Sequence, residues 1–147
     1  MPRSKISDIA QAQVRRRAKQ LCEYCHASER WQYVRFTVDH TTPLDLGGTD
    51  ELDNLALACF HCNRRKWNHV TGIDPESAQQ VALFNPRCDH WSEHFIWSND
   101  GLYIVGLTPI ERATIVILNL NRDRVINIRA ANKEVDRHPP NSDSIQS

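Results

Sequence analysis

The chain has 147 residues, of which 40% are hydrophobic, and its 18 Lys and Arg balance its 18 Asp and Glu. This length predicts one domain with one modest core. No apolar run approaches the roughly 18 residues of a membrane span, which argues against a transmembrane protein. Residues 1–70 nevertheless carry 11 Lys and Arg against 8 Asp and Glu. A negatively charged partner is therefore expected to meet the first half of the chain.

The first predicted element is a helix that begins at Ser7 or Asp8 and runs to about Lys19. Four cations lie near its C-terminal end: Arg15, Arg16, Arg17 and Lys19. Two interpretations remain open. Either the cations complement the helix dipole, or they form a patch that contacts phosphate groups.

Two Cys-x-x-Cys pairs follow, Cys22/Cys25 and Cys59/Cys62. Each pair can place two thiolates on one turn, and two such turns close a tetrahedral site of the type that favours zinc. The alternatives are two structural disulfides or four buried thiols. Because no secretory signal is evident, we expect reduced cysteines, zinc and a cytoplasmic location. The fifth cysteine, Cys88, is expected to be a small buried residue.

Between the cysteine pairs the sequence predicts a strand, a loop and a return strand. Residues 34–40 alternate apolar and polar side chains, which is typical of a strand. The chain then breaks at Thr42-Pro43 and Gly47-Gly48 and returns through 53–58. A short helix is predicted from Phe60 to about Asn68. Zinc would tie the ends of this unit together.

A longer pattern runs from Cys22 to Lys66, under a third of the chain. Besides the four cysteines it contains Asp39-His40, Pro43, Gly47-Gly48, Asp53-Asn54-Leu55 and Asn63-Arg64-Arg65-Lys66. This pattern resembles the HNH endonucleases, which have a ββα-metal fold. It departs from the frequent form of the family at one position, where Asn63 stands in place of His.

The resemblance implies a site that hydrolyses phosphodiesters. His40 is the only histidine inside the motif core, and an imidazole suits a general base near neutral pH. The resemblance also implies that Asp39 and Asn63 hold one Mg²⁺ or Mn²⁺ ion. Asn54 would brace the strands and orient the region around His40. Structural alternatives remain for each of these residues, such as a turn or N-cap for Asp39, an Asx turn for Asn54 and a helix cap for Asn63.

The cations near this site are expected to contact nucleic acid. Lys66 lies one helical turn from Asn63 and would meet the phosphate, unless it is only a surface cation. Arg64 and Arg65 would follow the backbone on either side. Arg16 belongs to the possible phosphate patch on the first helix.

Beyond the motif the sequence predicts a helix, a hairpin and two further helices. The first helix would run from Pro75 to Phe84 with Asp74 as its cap. The hairpin strands would be 94–97 and 102–106, and Thr108 with Glu111 would form a capping box for a helix to about Leu120. The last helix would cover 122–135, before a loose tail from 137. Four apolar residues are expected to pack on the centre: Ile115, Leu118, Val125 and Ile128.

Together these features predict an α+β protein whose ββα core is stapled by zinc, with an N-terminal helix and a C-terminal hairpin plus helices. Residues 1–137 would form one domain, with the core at about 20–70, an extension at 71–137 and a flexible tail at 138–147. The expected activity is metal-dependent cleavage of double-stranded DNA by a bacterial or phage-related protein. The alternatives are a zinc-stabilised module that binds nucleic acid without cutting, a nuclease for RNA or for particular structures, and a structural protein. A homodimer or a protein partner remains possible.

Overall fold

Five α-helices and three two-stranded antiparallel sheets are the main elements of residues 6–140, the part of the chain that the computed structural model describes. The helices are α1 Asp8–Arg17, α2 Phe60–Lys66, α3 Trp91–His94, α4 Pro109–Leu118 and α5 Asp123–Glu134. The strands are β1 Thr37–His40, β2 Leu55–Ala58, β3 Thr71–Ile73, β4 Gln80–Ala82, β5 Phe95–Trp97 and β6 Ile104–Gly106. The mixed α+β class predicted from the sequence is confirmed. Within the described residues, no helix is long and apolar enough to cross a membrane.

The hairpin β1–β2 and helix α2 form the predicted strand, loop, strand and helix. Thr37 pairs with Ala58 and His40 pairs with Leu55, so β1 ends opposite the start of β2. All four residues of β2 are buried. Helix α1 packs on this strand, and the Arg17 guanidinium donates hydrogen bonds to the carbonyl oxygens of Leu52 and Leu55 at 3.0 and 2.6 Å.

The predicted helix from Pro75 to Phe84 is wrong, because the chain forms the hairpin β3–β4 there. The carboxylate of Asp74 accepts hydrogen bonds from the amides of Glu76 and Ser77, as a helix cap would. Only one turn follows, however, since Ala78 adopts a φ of 61° and the amide of Asp74 donates to Gln79 O. The capping signal was correct, but the turn is followed by β4, which pairs with β3, and not by further helical turns.

The C-terminal hairpin and the last two helices are close to their predicted positions. Helix α4 has Pro at its first turn, but the Thr108 hydroxyl does not cap a backbone amide and donates instead to the Glu111 carboxylate. Its C-terminal cap is Asn119, which has a left-handed conformation.

One cluster of buried side chains joins the first half of the chain to the second. Tyr24, Leu55, Phe84, Phe95 and Leu118 are all less than 2% exposed and belong to this cluster. Aromatic rings dominate its C-terminal part, where the Phe84 and Phe95 rings meet edge to face at 5.2 Å. The two segments on either side of residue 70 therefore share a core.

Three expectations about packing need correction. Ile115, Leu118 and Val125 pack on the core as predicted, but Ile128 is 40% exposed. Cys88 is exposed rather than buried. At the start of the predicted tail, the His138 ring is hydrogen-bonded to Gly101 O at 2.6 Å. The rest of that tail, 141–147, lies outside the described residues.

Candidate active site and zinc centre

The four cysteines of the two Cys-x-x-Cys pairs converge beside the hairpin. Their Sγ atoms all lie within 4.8 Å of one another, and those of Cys25 and Cys59 are 3.8 Å apart. Four sulfurs at about 2.3 Å from a tetrahedral zinc ion would be about 3.8 Å apart. None of the cysteines forms a disulfide. The arrangement fits a structural zinc ion, as predicted.

The first knuckle is fixed to the centre of β2 by Glu23. Its amide donates to Leu57 O, and its carboxylate accepts a hydrogen bond from the Leu57 amide at 2.8 Å. Arg87, from the C-terminal half, forms an ion pair with the same carboxylate. Burial raises the pKa of Glu23, against the opposing effect of Arg87. No sequence pattern marked this residue beyond its place between two cysteines.

Tyr24, the other residue inside the first knuckle, contacts the candidate site directly. Its hydroxyl donates a hydrogen bond to Asp39 Oδ2 at 2.8 Å, and both side chains are buried. Burial, followed by the nearby Asp39 carboxylate, raises the pKa of Tyr24 well above its ordinary value. The hydroxyl therefore stays protonated and acts as a donor. No sequence pattern marked Tyr24.

Asp39 also pairs with Lys66, which corrects the predicted role of that lysine. Lys66 is 3% exposed, and its Nζ lies 3.2 Å from Asp39 Oδ2 and 3.0 Å from His40 O. The ammonium is thus not presented at the surface to a phosphate. Burial raises the pKa of Asp39, whereas Lys66 and the Tyr24 hydroxyl act to lower it.

His40 is the last residue of β1 and remains partly accessible. Its Nε2 lies 2.7 Å from Asp50 Oδ1, in the loop between the two strands. Asp39 and His40 are neighbours on the strand, yet Asp39 contacts α2 and the knuckle whereas His40 contacts the loop. This difference is consistent with the opposite orientations that strand geometry predicts. Asp50 was not predicted from the sequence.

Asn54 closes the loop that follows His40. Its side-chain oxygen accepts hydrogen bonds from the Thr41 hydroxyl and the Thr42 amide at 2.8 and 2.9 Å. Its side-chain nitrogen donates to Thr42 O and Thr49 O at 3.0 and 2.8 Å. The amide therefore holds the two ends of the loop together next to His40, where the sequence placed a bracing residue.

Helix α2 carries Asn63 one turn before Lys66. Residues three apart are neighbours on a helix surface, so Asn63 lies near the part of α2 that contacts β1. Arg64 and Arg65, which were predicted to contact nucleic acid, are both exposed. The Arg64 guanidinium lies 6.0 Å from the centre of the Phe60 ring, and Arg65 Nε donates to Ile117 O.

Arg16 lies in a basic groove of about 620 Å³ between α1 and the segment that precedes β1. Its charged lining residues are Asp8, Arg15, Arg16, Lys19, Arg30 and Arg35. Arg15 is engaged by Glu29 and Phe36 O, whereas Arg16, Lys19, Arg30 and Arg35 are exposed. We call this surface the basic groove.

The family model described as HNH endonuclease matches residues 22–69, about a third of the chain. No curated protein matches the chain significantly. The HNH motif recognised in the sequence is thus confirmed over the segment that contains the four-cysteine cluster, the β1–β2 hairpin and α2. This motif associates the segment with nuclease or nucleic-acid-binding function.

Proposed function

We propose that the protein is a metal-dependent endonuclease that hydrolyses phosphodiester bonds of double-stranded DNA. The carrying observation is the contact between β1 and α2 inside the segment that matches the HNH model. There Lys66 contacts both Asp39 and the backbone of His40, which brings the candidate metal ligand, the candidate base and the helix of Asn63 together.

The residues around Asp39 fit a divalent cation. Both contacts of its carboxylate, from Tyr24 and Lys66, fall on Oδ2. Among the described residues nothing donates to Oδ1, and this atom is not sealed from solvent. Asp39 and Asn63 would hold Mg²⁺ or Mn²⁺ through hard oxygen ligands, which such ions prefer. The ion would supply Lewis-acid stabilisation of charge on the phosphate and on the leaving oxygen.

His40 acts as the general base in this proposal. If Nε2 donates its hydrogen to Asp50, the neutral imidazole keeps Nδ1 as an acceptor for a proton from water. Asp50 would fix the tautomer and the orientation of the ring, and Asn54 would fix the loop that carries Asp50 and Thr49.

The basic groove would bind the phosphate backbone through Arg16, Lys19, Arg30 and Arg35. Such contacts carry no sequence information, so this surface supports affinity rather than target choice. With zero net charge on the whole chain, binding should depend strongly on salt. Four free zinc-binding thiols fit a reducing, cytoplasmic environment.

A second candidate is a zinc-stabilised module that binds nucleic acid without cutting it. The Lys66–Asp39 ion pair favours this alternative, because it already neutralises the carboxylate that the nuclease needs as a ligand. The two functions differ in their dependence on His40 and on a divalent cation.

The test is plasmid nicking at low salt with Mg²⁺ or Mn²⁺, comparing the native chain with His40→Ala. His69→Ala is a matched control, since His69 is exposed and lies within the same motif. Zinc content is measured for all three chains. Cutting that requires the divalent cation and is lost only in His40→Ala supports the nuclease. DNA binding without cutting by the native chain, or cutting that persists in His40→Ala, contradicts it.

A further inference from the structure

A second groove, distinct from the basic groove, lies beside the zinc centre. It has a volume of about 610 Å³ and runs between the segment 25–36, the start of α2 and helix α5. Its described lining residues include four arginines and no Asp or Glu: Arg122, Arg124, Arg129 and Arg137. Cys25 and Cys59 of the cysteine cluster also line it, but outside that cluster the Asp- and Glu-free lining has an excess of cations, which favours an anionic ligand. We call this surface the aromatic groove.

Three aromatic side chains on the lining of this groove are exposed to water. Tyr33 is fully exposed, Phe60 is 60% exposed and Trp31 is 43% exposed. Rings of this size usually bury much of their surface, and exposed apolar groups that lie together mark a binding site. Planar rings among arginines are also what an unpaired base and its phosphate require, because every base has a face that stacks.

Two arginines of the aromatic groove are held by contacts within the protein, and the other two are available to a ligand. Arg129 is buried, and its guanidinium donates to the carbonyl oxygens of Leu102 and Leu120. Arg137 lies over the Trp31 ring at 3.9 Å, which holds the indole in place by a cation–π contact. Arg122 is partly exposed and Arg124 is exposed, so both can reach a phosphate.

The position of this groove connects it to the candidate active site. Phe36 lines the groove and immediately precedes β1, whose last residue is His40. His40 lies three positions after Thr37 on the strand, which corresponds to about 10 Å. Neighbouring residues of the segment before β1 line different grooves. Arg30 and Arg35 line the basic groove. Trp31 and Phe36, each the next residue in the chain, line the aromatic groove. A nucleic acid could therefore contact both sides of this segment.

We propose that the aromatic groove binds unpaired bases of a nucleic-acid strand, with Trp31, Tyr33 and Phe60 as stacking surfaces. This inference rests on the proposed function and deepens it, because it assigns a substrate with a single-stranded part. The basic groove would bind the backbone of the adjacent duplex. The strand in the aromatic groove is DNA or RNA, since both present the same bases and phosphates.

The test measures binding apart from cleavage. The probes are a labelled single-stranded DNA, its blunt duplex, the same duplex with a single-stranded extension, and an RNA strand of the same sequence. Fluorescence anisotropy is recorded with zinc-loaded His40→Ala protein and no added divalent cation. Every variant therefore carries the same His40→Ala change, and no probe is cut.

Tyr33→Ala and Trp31→Ala are compared with Tyr103→Ala, which removes an exposed ring on neither groove. Each groove variant should weaken single-strand and extended-duplex binding about tenfold, because one base stack contributes about 1–3 kcal/mol. Blunt-duplex affinity should change less than twofold. Trp31→Phe and Tyr33→Phe should restore most of the loss. The affinities for the DNA and RNA strands show which of the two nucleic acids the groove prefers.

Equal losses on blunt duplex and single strand, or no loss in Tyr33→Ala, overturn the inference. If no single strand binds while the blunt duplex still does, the inference is also wrong. A protein is then the expected occupant of the aromatic groove. Plasmid nicking by Tyr33→Ala on the native background separates the two proposals. If nicking persists while the inference fails, the proposed nuclease still stands.

Discussion

At the scale of single residues, the contacts of Asp39 decide what the candidate site can do. This carboxylate is buried, and a tyrosine and a lysine both contact its Oδ2. A buried ion pair that loses one partner leaves an unpaired charge, which is strongly unfavourable. Lys66 therefore stabilises the site without a divalent cation, and a bound cation would take over part of that role.

Replacing Lys66 by Met should make folding depend on a divalent cation. The Lys66→Met chain should lose about 3–5 kcal/mol of unfolding free energy, because Asp39 then lies buried without its partner. Millimolar Mg²⁺ or Mn²⁺ should restore part of this loss, since a ligand that binds only the folded state stabilises it. Urea unfolding with and without the cation measures both effects. The double variant Lys66→Met/Asp39→Asn should not respond to the cation, and an equal response in both would contradict the assignment.

Replacing Tyr24 by Phe should slow cleavage without removing zinc. The change deletes the hydrogen bond to Asp39 Oδ2 but keeps the buried ring. Hydrogen bonds to charged groups contribute about 1.5–3 kcal/mol, so we expect a single-turnover rate about tenfold lower. Tyr103→Phe, altered at an exposed ring, should cleave at the native rate. If the Tyr24→Phe and Tyr103→Phe rates are equal, Tyr24 does not position the metal ligand.

At the scale of elements, the sequence predicted local units better than the contacts between them. The alternation over 34–40, the loop residues after it and the spacing of the cysteines were sufficient for the hairpin and the cysteine cluster, because these signals lie within one short segment. The role of Lys66 and the presence of Tyr24 depend on how α2 and the first knuckle pack against β1, which no local pattern records. The same reason explains the missed β3–β4 hairpin, where a valid cap at Asp74 starts one turn rather than a helix.

The ion pair between Asp74 and Arg112 should tie the β3–β4 hairpin to α4 in a pH-dependent way. Arg112 donates two hydrogen bonds to Asp74 at 2.9 and 3.0 Å. The guanidinium, with a further hydrogen bond from the Ser77 hydroxyl, holds the pKa of Asp74 well below its ordinary value. Because the pKa is lower in the folded state, this contribution is complete above the unfolded value of about 3.9 and is lost as the pH falls below it.

Asp74→Asn should therefore be less stable than the native chain at pH 7, and the difference should shrink progressively as the pH falls from about 5 to well below 4, toward the low pKa of Asp74 in the folded state. Chemical unfolding of both chains across this range gives the difference directly. Zinc content is measured for both chains at each pH, and only zinc-loaded chains are compared. Asp45→Asn, at an exposed carboxylate, should show no such convergence. If the difference in unfolding free energy stays constant with pH, the charge of Asp74 does not contribute to stability.

At the scale of the whole molecule, the cysteine cluster and the C-terminal half contact each other at several points. The Trp91 indole donates to Tyr24 O at 3.0 Å, Arg87 pairs with Glu23, and the His61 ring is hydrogen-bonded to Leu118 O at 2.8 Å. Each of these contacts joins a residue in or beside a cysteine pair to a residue beyond position 80. We therefore propose that the core and the extension at 71–137 fold as one cooperative unit.

Removal of zinc should unfold this unit as a whole. Structural zinc contributes folding free energy directly, with apparent binding energies of about 10–16 kcal/mol in zinc-finger peptides. On addition of a chelator, amide protection should disappear together in β2 and in α4, although α4 contains no zinc ligand. Hydrogen exchange read by mass spectrometry follows both elements in one experiment. Cys62→Ser should reproduce the effect, whereas Cys88→Ser should retain both zinc and protection, because Cys88 is exposed and outside the cluster. If α4 stays protected after β2 has lost its protection, the extension folds on its own and the contacts through Tyr24 and Glu23 are an interface between two units.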